Sequence, residues 1–302
     1  MSRTIFVLVA SVLLVPAVTY YDTTLSNEQW ALIKTLTLAM VCAASYCFVV
    51  SQLTGNFSQV DKLWSILPAG YVWYVAVKSG YEPRGVLMAV LATIWAARLT
   101  FNFARRGGYH VLPWRGEEDY RWAVLRATPT FKKPMTWVAF NLFFISFYQN
   151  ALILAFTLPS VAAVGGRAIG WLDIFAAGSM LLFVGIETLA DQQQYNFQTE
   201  KYRRIAANEP LVAPFSDGFC AQGLWARVRH PNYASEQAIW IGFYLFSVAA
   251  SGRWVNWSLI GALLLVLLFI GSADFSEKIS ASKYPKYADY LKRVPRFVPK
   301  FW

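Results

Sequence analysis

The chain has 302 residues, of which 57% are apolar, 17% aromatic and only 15% charged. Soluble globular domains are about 45–50% apolar and about 25% charged. The composition therefore excludes an ordinary soluble domain and predicts an integral membrane protein. The net charge of +10 indicates cytoplasmic loops that follow the positive-inside rule, and we do not expect a nucleic-acid partner.

Cysteines and histidines are too few for a disulfide framework or a metal centre. Cys42 and Cys47 lie in one apolar run, and Cys220 is distant in sequence. No pair has the spacing of metal ligands. The two histidines, His110 and His230, cannot form a three-histidine site. We expect no metal.

Eight apolar segments approach the roughly 20 residues that a spanning helix needs. They are residues 5–20, 31–53, 63–77, 85–103, 136–158, 170–190, 233–250 and 255–272. The first follows Arg3 without a convincing cleavage site, so we interpret it as a retained helix rather than a signal peptide. The first and third are short. The sequence thus predicts one all-α domain over residues 1–302, a transmembrane bundle of seven or eight spans.

The basic residues predict the orientation of the bundle. With the N-terminus in the cytoplasm, most of the 27 Lys and Arg residues fall on the cytoplasmic side, which predicts that both termini are cytoplasmic. Two long cytoplasmic segments result, residues 104–135 and 191–232. Their aromatic content argues against disorder, so we expect them to carry function.

Polar side chains within or beside the apolar segments form three pairs. A polar group in lipid is costly unless it is paired or faces a cavity. An interval of four places both members of a pair on one helix face. The pairs are Arg98 with Asn102, Glu187 with Asp191, and Asn232 with Glu236. All lie near predicted cytoplasmic ends, and we expect one polar chamber to gather them. The alternative is that they are interfacial and that Arg98 extends to the headgroups.

The stretch from Gly223 to Tyr233, Gly-Leu-Trp-Ala-Arg-Val-Arg-His-Pro-Asn-Tyr, runs from a basic loop into an apolar segment. Proline is favoured in a first helical turn, so a helix should begin near His230 or Pro231. A helix N-terminus preceded by Arg227 and Arg229 suits an anion. Alternatively, the two arginines contact lipid phosphates and His230 caps the helix.

These residues resemble the C-terminal signature of the steroid 5-alpha-reductase-like membrane enzymes, particularly the bacterial branch known as DUF1295. Further matching motifs are Val60-Asp61-x-x-Trp64, Trp95-x-x-Arg98-Leu99, Glu118-Asp119-x-Arg121-Trp122, Glu187-x-x-x-Asp191, and the tail Lys283-Tyr284-Pro285-x-Tyr287-x-x-Tyr290 with Pro295 to Trp302. The resemblance covers about residues 60–302. It implies an NADPH-dependent reductase of a carbon–carbon double bond in a lipid-like steroid, sterol or isoprenoid enone, located in the bacterial inner membrane among membrane lipids.

The resemblance also suggests roles for individual residues. Asp191, Asn232 and Glu236 match cofactor-contacting positions, and Arg98 and Asn102 match polar positions on the cofactor-side helix. The remaining expected cofactor-binding residues are Glu187, Arg203, Arg227, Arg229, His230 and Tyr233. An arginine expected after Asp191 is Gln198 here, with Lys201, Arg203 or Arg204 as replacements.

The catalytic positions depart from the family pattern. Trp95 stands where the steroid reductases have a tyrosine, and Asp61 is a polar substitute for their glutamate. Since tryptophan is not a proton source, Tyr109, Tyr120 and Tyr233 are further candidates for the general acid. Two other functions stay open, an isoprenylcysteine-type methyltransferase using S-adenosylmethionine and a non-catalytic lipid-binding protein.

Overall fold

A computed structural model of the chain describes residues 25–112 and 114–300, and the predicted span at residues 5–20 lies outside them. Within the described part, all regular secondary structure is helical. The α-helices are α1 (Asn27–Thr54), α2 (Gln59–Trp64), α3 (Leu67–Lys78), α4 (Pro83–Ala104), α5 (Tyr120–Arg126), α6 (Pro134–Phe140), α7 (Gln149–Thr157), α8 (Pro159–Ala162), α9 (Trp171–Ala206), α10 (Pro231–Ser251), α11 (Leu259–Lys283) and α12 (Tyr287–Arg293). A π-helix, Asn141–Tyr148, joins α6 to α7.

Five helical segments of the described chain are long and apolar enough to cross a membrane. They are Asn27–Thr54, Pro83–Ala104, Pro134–Ala162, Trp171–Ala206 and Leu259–Lys283. They correspond to five of the predicted segments, and the protein is an integral membrane protein of helical class. The predicted segment 233–250 forms α10, which carries Glu236 near its start. The total of seven or eight spans stays a prediction.

The third predicted segment, residues 63–77, is divided between two short helices. Helix α2 ends at Trp64, and α3 begins at Leu67 with Pro68 in its first turn. The 12 residues of α3 rise by about 18 Å at 1.5 Å per residue. A hydrocarbon core is about 30 Å thick, so α3 alone is too short to cross it.

Local sequence signals explain where α1 begins and ends. Ser26 and Gln29 form a capping box, in which the Ser26 hydroxyl accepts from the Gln29 N–H at 3.1 Å. At the other end Gly55 adopts a left-handed conformation with φ of 70°, which glycine adopts without steric strain.

Helix α9 extends well beyond the predicted apolar segment 170–190, into the region predicted as a cytoplasmic loop. It has 36 residues and ends at Ala206. Its polar end carries ion pairs from Glu200 to Arg203 at 2.8 Å and to Arg204 at 2.7 Å, spaced three and four residues apart. Such pairs stabilise an exposed helix, which explains why the helix continues past the apolar residues.

The chain forms two compact units. The first unit contains Gly178–Gly242 and residues 263–300, and the second contains residues 25–177 and Phe243–Ala262. In the described chain, the three boundaries between the units fall inside helices, in α9, α10 and α11. No Pro/Gly linker therefore separates the two units at these points, and for that reason the sequence predicts a single domain.

A buried ion pair in the second unit fixes the start of α4. The Arg84 guanidinium donates to both carboxylate oxygens of Asp173, at 2.7 and 3.0 Å. It also donates to the Arg167 and Ala168 carbonyls at 2.6 and 3.1 Å. Because every contact is charge-assisted, the desolvated arginine is well compensated.

Candidate functional site

Two of the three predicted polar pairs meet in the first unit, where α9 and α10 face each other. The Asn232 Nδ2 amide donates to Asp191 Oδ1 at 3.3 Å. Glu187 lies one turn before Asp191 on α9, and Glu236 lies one turn after Asn232 on α10. Glu187, Asp191 and Glu236 are all buried. We call these four residues the polar face.

Asn232 and Glu236 each accept a hydrogen bond from another group of α10. Asn232 Oδ1 accepts from the Tyr233 N–H at 3.0 Å. This N–H lies in the first turn of α10, where main-chain donors have no partner within the helix. Glu236 Oε1 accepts from the Trp240 indole at 3.1 Å, one turn further along the same helix. These contacts set the orientation of both side chains.

The Gly223-Leu224-Trp225 segment is fastened to α9 beside the polar face. Gln193 Oε1 accepts from the Leu224 N–H at 2.9 Å, and the Trp225 indole donates to the Ala190 carbonyl at 3.0 Å. Gly223 has a φ of 59°, and a Cβ there would collide with the Gln193 amide. The positive φ favours glycine at this position, and the Gln193 amide would have to move to accommodate a Cβ.

The predicted helix start is confirmed, because α10 begins at Pro231. The two residues before it are held by other parts of the first unit. Arg229 Nε donates to Glu277 Oε1 at 2.8 Å, and His230 Nε2 lies 3.0 Å from the same oxygen. Arg296 donates to Glu277 Oε2 at 2.7 Å and pairs with Asp274 at 2.9 Å. We call these residues, Arg229, His230, Asp274, Glu277 and Arg296, the clasp.

Main-chain contacts extend the clasp to the C-terminal tail. The Arg229 N–H donates to the Pro295 carbonyl at 2.9 Å, and the His230 N–H donates to the Arg296 carbonyl at 3.2 Å. Arg229 Nη1 also donates to the Leu291 carbonyl at 3.0 Å and to the Val294 carbonyl. Arg229 and His230 thus have protein partners that hold the tail against the loop, and their predicted role in binding a cofactor stays a prediction.

Arg203 and Arg227, two further basic residues predicted near a cofactor, lie on exposed surface. Arg227 is exposed. Arg203 is exposed and pairs with Glu200 and with Glu209, the latter at 2.7 Å. The Arg203 hydrogen bond lowers the pKa of Glu209 below its usual value. Of the two, Arg227 has the more accessible charge for an added anion.

Lys201, one of the replacements considered for the missing arginine, is buried in the first unit. Its Nζ donates to the Gly218 carbonyl at 2.9 Å. It also lies 4.8 Å from the ring centroid of Tyr202 and 5.6 Å from that of Tyr284. These cation–π contacts are typical of a lysine that packs within the fold.

Arg98 and Asn102 belong to α4 in the second unit, and their gathering with the polar face stays a prediction. Asn102 Oδ1 accepts from Arg105 Nε and Nη2, at 3.0 and 2.6 Å. Trp95, on the same helix, is completely buried.

Asp61, also in the second unit, accepts a hydrogen bond from the Trp122 indole at 3.2 Å. Withdrawal of its carboxyl from water raises the pKa of Asp61, and the neighbouring Asp119 charge raises it further. Asp119 instead has a lowered pKa, because its bonds to Arg121 outweigh the effect of burial. The two carboxyls therefore differ in their readiness to hold a proton.

Two motifs quoted separately above, around Asp61 and around Asp119, fold onto each other. The Phe57 N–H donates to Glu118 at 2.8 Å, and Ser58 Oγ accepts from the Asp119 N–H at 2.9 Å. Together with the Asp61–Trp122 bond, all three contacts join residues 61 positions apart. The two segments therefore run side by side in a constant register, a relation that no local sequence pattern could have indicated.

Tyr109 and Tyr120, the other tyrosines considered as general acids, have different surroundings. The Tyr109 hydroxyl lies 2.5 Å from Ser65 Oγ and donates to the Lys62 carbonyl at 2.9 Å. Tyr120 is exposed. Tyr233 is half-buried and stacks on His230, with ring centroids 5.2 Å apart and planes at 10°.

A family model, described as a protein of unknown function (DUF1295), matches residues 47–294. The chain belongs to this family. The chain is also similar to an uncharacterized protein of the fission yeast Schizosaccharomyces pombe, which is 37% identical over 265 residues, covering 83% of this chain and 75% of the yeast protein. No solved structure matches. A similar protein therefore occurs in a yeast, and the bacterial inner membrane stays a prediction.

Proposed function

We propose that this DUF1295 protein is an NADPH-dependent membrane oxidoreductase that reduces a carbon–carbon double bond of a lipid-like enone, such as a steroid, sterol or isoprenoid. The observation that carries the proposal is the contact between Asp191 and Asn232, at 3.3 Å. It joins two helix faces whose residues resemble cofactor-binding positions of the steroid 5-alpha-reductase-like enzymes.

The chemistry of the polar face suits the uncharged polar parts of a dinucleotide. Carboxylates such as Asp191 and Glu236 accept hydrogen bonds from ribose hydroxyls or from a carboxamide NH₂. The Asn232 amide both donates and accepts. Phosphates need positive charge, and the exposed Arg227 on the adjoining loop supplies it.

When bound, NADPH would supply a hydride to one carbon of the double bond, and the other carbon would take a proton. Tyr233 is the proposed proton source, since it follows Asn232 directly in the first unit. Asp61 is proposed as the catalytic carboxyl that replaces the glutamate of the steroid reductases. Trp95 has no acidic proton. It would act as a hydrogen-bond donor through its indole N–H, or by shaping the substrate site.

A second function is favoured by the number of acids on the polar face. Glu187, Asp191 and Glu236 are three buried carboxyls on two facing helices. Such a surface also favours a ligand with positive charge. S-adenosylmethionine carries a sulfonium and an ammonium group, so a membrane methyltransferase is the competing proposal.

Ligand titration of the purified protein separates the two functions. We expect NADPH fluorescence to rise on binding, and Asn232→Ala and Glu236→Ala to weaken that binding about tenfold or more, the effect of one or two lost hydrogen bonds. Asn196→Ala is the matched control, because Asn196 is an exposed asparagine on α9.

The outcomes point in three directions. Thermal stabilisation by S-adenosylmethionine alone would replace the reductase with the methyltransferase. A response to neither ligand would favour a non-catalytic lipid-binding protein. Equal loss of NADPH binding in Asn196→Ala and Asn232→Ala would remove the polar face from the cofactor site.

A further inference from the structure

We propose that the connection after α4 binds the headgroup of an anionic phospholipid of the surrounding bilayer. The residues that form this surface are Arg105, Arg106, Val111, Trp114 and Arg115, and we call them the lipid loop. All five belong to the second unit. The inference goes beyond the proposed function, because it concerns the lipids around the protein and needs neither cofactor nor substrate.

The first observation is the charge of the lipid loop. Three acids follow its three arginines in the sequence, Glu117, Glu118 and Asp119. Glu118 and Asp119 pair with arginines outside the loop, at 2.8 and 2.7 Å. Of the three acids, Glu117 is left to balance the loop, and Arg106 and Arg115 are exposed. The loop therefore carries an excess of positive charge, which attracts anionic lipids.

The second observation is that the main chain closes the loop and brings two arginines together. The Glu117 N–H donates to the Gly107 carbonyl at 2.9 Å. Arg106 directly precedes Gly107, and Arg115 lies two residues before Glu117. Chain geometry then limits the distance between the Cα atoms of the two arginines to about 15 Å or less. The two exposed arginines therefore belong to one patch of surface.

The third observation is the attachment of the loop to the segment after α1. Three consecutive main-chain carbonyls, those of residues 114 to 116, accept hydrogen bonds from three side chains of that segment. Gln59 Nε2 donates to the Trp114 carbonyl at 3.3 Å, Lys62 Nζ to the Arg115 carbonyl, and Asn56 Nδ2 to the Gly116 carbonyl at 2.9 Å. These bonds use the main chain of the loop, and the Trp114 and Arg115 side chains stay exposed.

The fourth observation is that the loop lies at the ends of two candidate spans. Helix α1 ends at Thr54 and α4 ends at Ala104. Phe101, in the last turn of α4, is 66% exposed, and the Arg105 guanidinium carbon lies 5.6 Å from its ring centroid. An apolar side chain exposed on a spanning helix contacts lipid, and a cation beside it at the helix end reaches the headgroups. The lipid loop therefore lies at the level of the headgroups.

The fifth observation is the exposure of two apolar side chains beside the arginines. Val111 is 94% exposed and Trp114 is 44% exposed. Tryptophan is enriched at membrane interfaces, and apolar side chains gain free energy when they enter the boundary between headgroups and acyl chains. Apolar anchors next to arginines match a phospholipid, which has acyl chains beside its phosphate, better than a soluble anion.

Native mass spectrometry of the full chain in detergent tests the proposal. The probes are phosphatidylglycerol and phosphatidylcholine with the same acyl chains, and inorganic phosphate as a headgroup without chains. We expect phosphatidylglycerol to bind most tightly. Arg106→Gln and Arg115→Gln should each weaken its binding about fivefold, the effect of one basic residue near an anionic surface, and leave phosphatidylcholine unchanged. Val111→Ser should weaken both lipids alike.

Arg167→Gln is the matched control, because it removes the same charge from another exposed arginine. The Arg167 carbonyl accepts from Arg84 in the first turn of α4, which places it at the opposite end of that span. Its binding of phosphatidylglycerol should change less than twofold, and Arg106→Gln and Arg115→Gln should keep the wild-type Tm in lipid-free detergent.

Four results would overturn the proposal. They are equal binding of the two lipids by the wild type, an equal loss in Arg167→Gln and the loop variants, phosphate binding as tight as that of phosphatidylglycerol, and a lower Tm of the lipid-free loop variants. The third result would assign the arginines to a soluble anion, and the fourth would assign them to the fold.

Discussion

Replacing Glu277 with glutamine should destabilise the first unit, because this side chain joins three groups of the clasp. Its carboxylate contacts Arg229 at 2.8 Å, His230 at 3.0 Å and Arg296 at 2.7 Å. The Glu277 side chain is 8% exposed, whereas that of Arg296 is 29% exposed. Removal of one partner from a buried ion pair costs about 3–5 kcal/mol.

The expected loss lies at the lower end of that range. The glutamine retains one oxygen acceptor, and solvent screens the Arg296 contact. A loss of about 3 kcal/mol corresponds to a decrease in Tm of about 6–12 °C. Tryptophan fluorescence during thermal unfolding in detergent measures this change. Trypsin should also cleave faster after Arg293 and Arg296, because the tail loses its attachment.

Asp289→Asn is the control in the same unit. Its pair with Lys292 is 3.4 Å long, with side chains 71% and 78% exposed, and exposed pairs contribute little. Its Tm should stay unchanged. If Glu277→Gln shifted Tm no more than this control and left tail cleavage unchanged, the clasp would have no structural role. Ligand-binding losses in Arg229→Ala would then report on the ligand directly.

Further results are expected for variants of Asp61, Asp119 and Arg84 in the second unit. Because the pKa of Asp61 is raised in the folded state, this carboxyl favours folding at low pH. That contribution is lost as the pH rises through the folded pKa. Asp61→Asn should therefore raise Tm more at pH 7 than at pH 4. Asp119 has a lowered pKa, so its contribution is present at neutral pH and lost on acidification, and Asp119→Asn should lower Tm at pH 7; the opposite order in Tm scans would refute both assignments. Arg84→Ala should cost about 3–5 kcal/mol by leaving Asp173 buried and unpaired, while Arg84→Met combined with Asp173→Leu should cost less than the single change, as measured by chemical unfolding in detergent.

The structural role of the clasp changes how mutations of the Arg-His-Pro motif should be interpreted. Arg229 and His230 contact Glu277 and the tail, so their replacement perturbs the fold before any ligand is added. Asn232 and Glu236 lie within the following helix. Their variants are therefore the more direct probes of cofactor binding.

Composition and local spacing determined the class of the protein and several of its local features. Twenty-residue apolar runs must form helices in a bilayer because lipid offers no partner for the backbone, and five of the predicted runs do form such helices. Pro231 starts its helix because proline needs no donor there. Intervals of four placed Glu187 beside Asp191 and Asn232 beside Glu236, since helix periodicity is a local property.

Only the tertiary structure decided which distant groups meet. Three relations depend on helix packing. They are the pairing of Asp191 with Asn232, the register of 61 positions between the Asp61 and Asp119 segments, and the contacts of Arg229, His230 and Arg296 with Glu277. Packing depends on the shapes of side chains from separate elements, which periodicity does not encode. For the same reason, the sequence could predict an anion beside Arg229, while only the fold shows that the Glu277 carboxylate of the same chain lies there.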